Sequence, residues 1–188
     1  MAKLITSLLL FISISITTTA NNLDSLKSLR QSARGADLIQ IAILIGNEYY
    51  KKSIYDTATY FYKTGLEEAT HIQDYISAGK ISNNLGVIEY RRGYPAKAII
   101  NYNETLEFYQ KTGNDTLVGN AYINLGMAYK KLAINDKALL ILQDGVRILE
   151  RLNEDKSRAK GLNAIGNIYK QLKDFDRAFE FHNRSLKL

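Results

Sequence analysis

The chain runs to 188 residues, 46% of them hydrophobic and 23% charged, with a formal net charge of +6; that apolar content is enough to fill a core. No cysteine is present, which excludes a disulfide framework and a thiolate metal site, and the single proline, Pro95, leaves the rest of the chain open to long helices. The moderate basic excess favours acidic partners without fixing a fold.

Met1-Ala2-Lys3 gives the chain a positive start, Leu4 to Ile16 is apolar with interspersed Ser and Thr, and Thr17 to Ala20 is small and polar. That order matches the three regions of a secretory signal peptide, with cleavage near Ala20. The apolar run is short of the roughly 20 residues that a membrane span needs. Residues 1–20 are therefore expected to be a signal peptide, and the mature chain to be extracytoplasmic, periplasmic or secreted. Residues 21–35 follow, with Leu23, Leu26 and Leu29 at helical spacing; they predict a short leading helix that caps what comes next.

From residue 36 onward the sequence repeats. Gly46, Gly86, Gly126 and Gly166 stand 40 residues apart, as do Ala58, Ala98, Ala138 and Ala178. Ile45, Leu85, Leu125 and Ile165 precede the glycines; Tyr49, Tyr129 and Tyr169 lie three residues beyond them, with Glu89 as the exception. Tyr122, Leu125, Gly126 and Tyr129 form one helical stripe, and Ala138, Leu139, Leu142 and Val146 form a second after a break at 132–135. Each unit is thus a hairpin of helix A and helix B. Asp56, Asp136 and Asp176 sit where a carboxylate suits the positive end of a starting helix. Glycine inside a helix costs about 1 kcal/mol against alanine, so four in one phase predict close approach of helix B to helix A.

The pattern resembles the tetratricopeptide repeat, L-G-x-x-Y followed by A-x-x-x-F. Ile45-Gly46-Asn47-Glu48-Tyr49 with Ala58 to Tyr62, and Leu125-Gly126-Met127-Ala128-Tyr129 with Ala138 to Leu142, carry it. Leu85-Gly86 with Ala98 to Tyr102, and Ile165-Gly166-Asn167-Ile168-Tyr169 with Ala178 to His182, complete four copies. The resemblance implies an all-α fold, a right-handed superhelical solenoid of antiparallel helix pairs, with repeats at about 36–74, 75–114, 115–154 and 155–188. The 40-residue stride resembles the longer-helix subtype of kinesin light chains and polarity adaptors. Thr70, Gln110 and Glu150 replace the closing proline, so helix B is expected to run on. The last repeat is incomplete, and the chain is expected to be a piece of a longer protein.

In the family the concave wall is lined by helix A, at positions −6, −3, −2, +1, +4 and +5 from the glycine. Those 24 positions hold seven Lys or Arg, seven Asn and no Asp or Glu. Asn carries both a donor and an acceptor, suited to a peptide backbone, and cations add charge-assisted bonds to carboxylates. Lys80, Asn83, Asn84, Arg91, Asn124, Lys131, Asn163, Asn167 and Lys170 are the candidate partner-binding residues, for a protein or extended peptide with an acidic bias or a C-terminal carboxylate. The competing reading is that the asparagines bond helix to helix, Asn84 and Asn124 above all.

Nothing points to catalysis. His71 and His182 stand far apart, so no metal is expected, and no nucleophile triad or phosphate-cradling loop suggests a cofactor. Most of the thirteen tyrosines fall at repeat positions, so nucleic acid is not expected either. A leader followed by 40-residue repeats resembles the sensory front half of bacterial membrane-bound regulators, which implies a non-catalytic binding module of a signalling protein. The alternative is a structural scaffold for envelope or secretion assembly.

Overall fold

The computed structural model describes residues 21–188, so the expected signal peptide, 1–20, lies outside the described residues. Nine helices and no strand occur among them: α1 (Asn21–Arg30), α2 (Gly35–Lys51), α3 (Tyr55–His71), α4 (Tyr75–Arg91), α5 (Pro95–Thr112), α6 (Asp115–Lys131), α7 (Asn135–Arg151), α8 (Asp155–Gln171) and α9 (Phe175–Leu186). Helices α2, α4, α6 and α8 are the A helices of the repeats, and α3, α5, α7 and α9 the B helices. Thr70, Gln110 and Glu150 lie inside α3, α5 and α7, which continue through the positions where the closing proline is missing. The chain divides into two compact units, the first ending at Glu68 and the second running from Ala69 to Leu188.

In the first unit α1 packs on α2. Leu26, Ile41, Ile45 and Phe61 form its buried core, with Leu23 and Tyr49 against them. Leu29, the third leucine of the expected capping helix, is exposed instead. A Cβ on Gly46 would meet Tyr62 Cε1 at 2.5 Å, so α3 lies against bare backbone there. Tyr62 Oη donates to Asn47 Oδ1 at 2.6 Å. The ring thus fills the glycine notch while its hydroxyl is satisfied by the next residue.

The second unit holds three hairpins, α4–α5, α6–α7 and α8–α9, and each B helix also packs on the A helix that follows it. The reason is the small-to-large exchange the repeat predicts. A Cβ on Gly86 would lie 2.5 Å from Tyr102 Cε1, and one on Gly126 2.6 Å from Leu142 Cγ. Ala98 and Ala138 are completely buried at the second contact point. A further pair, Gly79 against Tyr109 and Gly119 against Leu149, makes the same exchange one helical stretch earlier. Burial pushes the Tyr109 hydroxyl up to about 12. Ile123, Leu142, Leu149, Ile165 and Ile168 are the most deeply buried large side chains of the main core, each contributing about 1.5–3 kcal/mol of hydrophobic stabilisation.

The turns repeat as faithfully as the helices. Gly93, Ala133 and Lys173 all adopt left-handed φ, at 82°, 58° and 61°, as do Gln73, Gly113 and Asn153 between hairpins. Behind the first three, Tyr94 N donates to Glu89 O, Ile134 N to Tyr129 O and Asp174 N to Tyr169 O, at 2.9–3.1 Å. This is the six-to-one closure that satisfies the last helical carbonyls. The next helix then starts from a side-chain cap in three places, Asp74 on Ser77 N, Asn114 on Leu117 N and Asp174 on Arg177 N. Asp56, Asp136 and Asp176 fall in first turns, as their recurrence suggests.

Candidate functional site

In the second unit α6 and α8 touch directly as well as through α7, so residues at equal phase on successive A helices meet. Asn124 stands at the centre. Its Nδ2 donates to Asn83 Oδ1 at 2.8 Å, and its Oδ1 accepts from Lys160 Nζ at 2.9 Å. Three A helices are thereby joined by one chain of polar side chains. Asn83 and Asn124 thus bond helix to helix, the competing reading for the asparagines, while the Asn83 amide keeps both N–H donors and Asn124 keeps one.

Beside this chain lies an open hollow of about 360 Å³, lined by Val87, Tyr90, Arg91, Tyr102, Asn124, Met127 and Lys160. Its floor is apolar: Tyr102 is buried under Gly86, with Val87 and Met127 half-buried beside it. The polar candidates ring this floor, and the floor itself was absent from them. The signal was present at the +1 positions, Val87 and Met127, where the second and third repeats depart from Asn47 and Asn167. Lys131 Nζ lies 6.0 Å from the centre of the Tyr90 ring, at the hollow's edge. A second depression, of about 560 Å³, is lined by Lys130, Asn167, Lys170 and Gln171. Of the predicted residues, the structure therefore gathers Asn83, Arg91, Asn124 and Lys131 around the first hollow, and Asn167 and Lys170 around the second. Lys80 and Asn163 are exposed and Asn84 half-buried on the same helices, each apart from both hollows.

The inward helix-A positions of this face hold cations and no acid. Arg147, Arg158, Arg177 and Arg184 all pair with carboxylates elsewhere on the unit. Among the described residues no ion pair involves Lys130, Lys131, Lys160 or Lys170. Burial pushes the Lys160 ammonium below the usual lysine value although the side chain as a whole stays exposed. Lys130 is lowered by burial first and by the neighbouring Lys131 charge second. A partly desolvated cation without a counter-charge gains from an arriving carboxylate what it lost on leaving water. The arrangement can hold an anionic group beside an apolar one. Among the described residues no cluster of three or more His, Asp or Glu could hold a metal ion.

A, B hairpins that pack through recurring glycine notches and cap each other with left-handed turns define a helical-repeat protein, a class that presents long side-by-side helix faces instead of an enclosed catalytic pocket. Residues 77–151 and 159–188 match two family models described as the tetratricopeptide repeat, together more than half of the chain. The chain belongs to the tetratricopeptide-repeat family. It is 23% identical over 170 residues to tetratricopeptide repeat protein 29 of Trypanosoma brucei brucei, covering 87% of this chain and 35% of that one, so it spans about a third of that relative's length. The fold is similar to that of BtubC from P. vanneervenii, with a TM-score of 0.76, 23% identity, and coverage of 88% of this chain and 72% of that one. It is also similar to that of RapI in its apo form, with a TM-score of 0.79, 12% identity, and coverage of 85% and 58%. The tetratricopeptide repeat is in general an interaction scaffold and not a catalyst.

Proposed function

We propose that the chain is an exported, non-catalytic scaffold that holds an extended, acid-bearing peptide or protein segment along the inner, concave face of its A helices. The reading rests on one observation: Lys130, Lys131, Lys160 and Lys170 share a face whose inward helix-A positions hold no Asp or Glu, and none of the four has an ion-pair partner among the described residues. Arg91, Lys131 and Lys160 supply charge around the first hollow, Lys130 and Lys170 around the second, and Asn167 offers a donor and an acceptor beside them. Asn83 and Asn124 keep the helices in register, and Lys80, Asn84 and Asn163 extend the polar surface. The apolar leader followed by 40-residue repeats supports export and a place at the sensory front of a signalling protein.

The test titrates a panel of extended decapeptides, acidic, neutral and basic, against the full chain and a Lys131→Glu, Lys170→Glu variant. Both lysines are exposed, so the melting temperature is expected to hold while affinity for the acidic peptides falls at least tenfold, the scale of one or two charge-assisted contacts. Affinity is also expected to fall as pH rises, earlier than ordinary lysines would allow. The lowered groups at 130 and 160 carry charge only below their folded values and lose it as pH climbs through them. Equal affinity of parent and variant removes this face as the site.

A further inference from the structure

We infer that the edge carrying the A-to-B turns of the second unit docks on an anionic lipid bilayer. Helix α6 packs directly on α8 and is bonded to α4 through Asn124 and Asn83, so the turns after α4, α6 and α8 line up along one edge. Each turn projects a large apolar side chain into water: Tyr94 is 53% exposed, Ile134 46%, Leu172 50% and Phe175 65%. None of these fills the core; the opposite edge also exposes Ile72 and Leu152, at 42% and 40%, so it is the pairing of apolar protrusions with charge that singles out this edge. The same edge is basic. Segments 89–97, 129–137 and 169–177 together carry a net charge of +5, while the opposite-edge segments 109–117 and 149–157 together carry −1. This edge therefore holds most of the excess positive charge of the whole chain. Lys97, Lys130, Lys131, Lys137, Lys170 and Lys173 have no ion-pair partner among the described residues. The turn of the first unit has the same chemistry by itself, Lys51-Lys52 followed by exposed Ile54.

The combination selects among anionic partners. A nucleic acid offers phosphates but would leave Ile134, Leu172 and Phe175 in water. A protein partner must pack closely, and single side chains separated by turns give it no continuous apolar surface. A bilayer interface accepts isolated protrusions without shape complementarity, seats Tyr and Phe at headgroup depth, and lets lysine stems lie along it while their charges reach lipid phosphates. Each lysine near an anionic leaflet adds roughly a fivefold gain in binding. No described helix is long and apolar enough to cross a membrane, so the contact is peripheral. Lys130, Lys131 and Lys170 also border the A-helix hollows, so the test separates the two readings by using Lys97, Lys137 and Lys173, which line neither hollow.

The experiment is vesicle co-sedimentation of the full chain, with phosphatidylcholine alone and with roughly 30% phosphatidylglycerol added. Residues 4–16 are apolar enough to enter either vesicle, so the reading is the difference between parent and variants on the same lipid. Two variants are compared, Lys97→Glu with Lys137→Glu and Lys173→Glu, and Ile134→Ser with Leu172→Ser and Phe175→Ser. Circular dichroism melting checks that both fold. The partition onto anionic vesicles is expected to fall at least tenfold in each, to weaken with salt in the parent, and to stay unchanged on phosphatidylcholine alone. Equal partition of parent and charge variant overturns the inference, as does binding of an oligonucleotide or polyglutamate that follows these residues while vesicle binding does not.

Discussion

The hairpins α6–α7 and α8–α9 carry the same repeat, yet they solve burial differently. In the first, Leu142 is fully buried against Gly126, and Leu139 and Val146 pack into the main core under α8. In the second, the matching positions are His182, Phe179 and Leu186. His182 is half-buried over Gly166, Phe179 is 69% exposed and Leu186 83% exposed. The hairpin nonetheless closes, because Ala178 is buried and Phe181 stacks on Tyr169 at 5.5 Å between ring centres. The difference teaches that two layers of contact are separable in this repeat. The stripe that joins helix A to helix B forms within a hairpin, while the stripe that meets the next hairpin is buried only where that neighbour lies against it.

The largest expected contrast breaks the second layer. Leu142→Ala, which empties a filled site, is expected to cost about 2–5 kcal/mol, whereas Phe179→Ala should cost under about 0.5 kcal/mol. Urea unfolding of the two variants measures both; equal losses would mean that α9 is covered in solution. Next comes the glycine notch. Gly126→Ala places a Cβ 2.6 Å from Leu142 Cγ and 3.3 Å from its backbone nitrogen, which should cost about 1–3 kcal/mol. For Gly166→Ala the nearest atoms are those of the His182 ring, at 2.9 Å. That ring can swing toward solvent, and the gain in helix propensity of about 1 kcal/mol returns the cost. Calorimetric melting of the pair separates a rigid notch from a soft one. The smallest effect should not distinguish the hairpins at all: Ala133→Gly and Lys173→Gly each relieve a left-handed φ and should stabilise by about 0.5–1 kcal/mol. Unequal gains from these two would show that the turns, and not only the helix faces, differ between the hairpins.

Much of this architecture was legible before any coordinates. The glycine phase announced the notches, because only a close helix partner explains four glycines at one helical register. The aspartates announced the first turns of three B helices. The candidate face was legible as a charge bias, seven cations and no acid in 24 positions, but its working parts were not. Asn83 and Asn124 look alike in sequence whether they face a ligand or each other. Their commitment depends on the distance between two A helices, to which a residue count is blind. The apolar floor of Val87, Met127 and Tyr102 was hidden for a similar reason. Tyr102 reads as a packing residue of α5, and only the gap above Gly86 turns part of it into the base of a hollow.

What the sequence determined by itself is the hairpin: a period, a stripe for each helix, a small residue opposite a large one, and turn residues at fixed offsets. Each depends on neighbours within a few turns of helix, where backbone geometry leaves one way to place them. What only the tertiary structure decided is exposure and partnership: which lysines lack a carboxylate, which asparagines bond each other, and why Leu139 is covered while Phe179 stands in water. Those are properties of surfaces brought together from different helices, as where Asn124 meets Asn83 and Lys160, set by how the hairpins stack and not by any one of them.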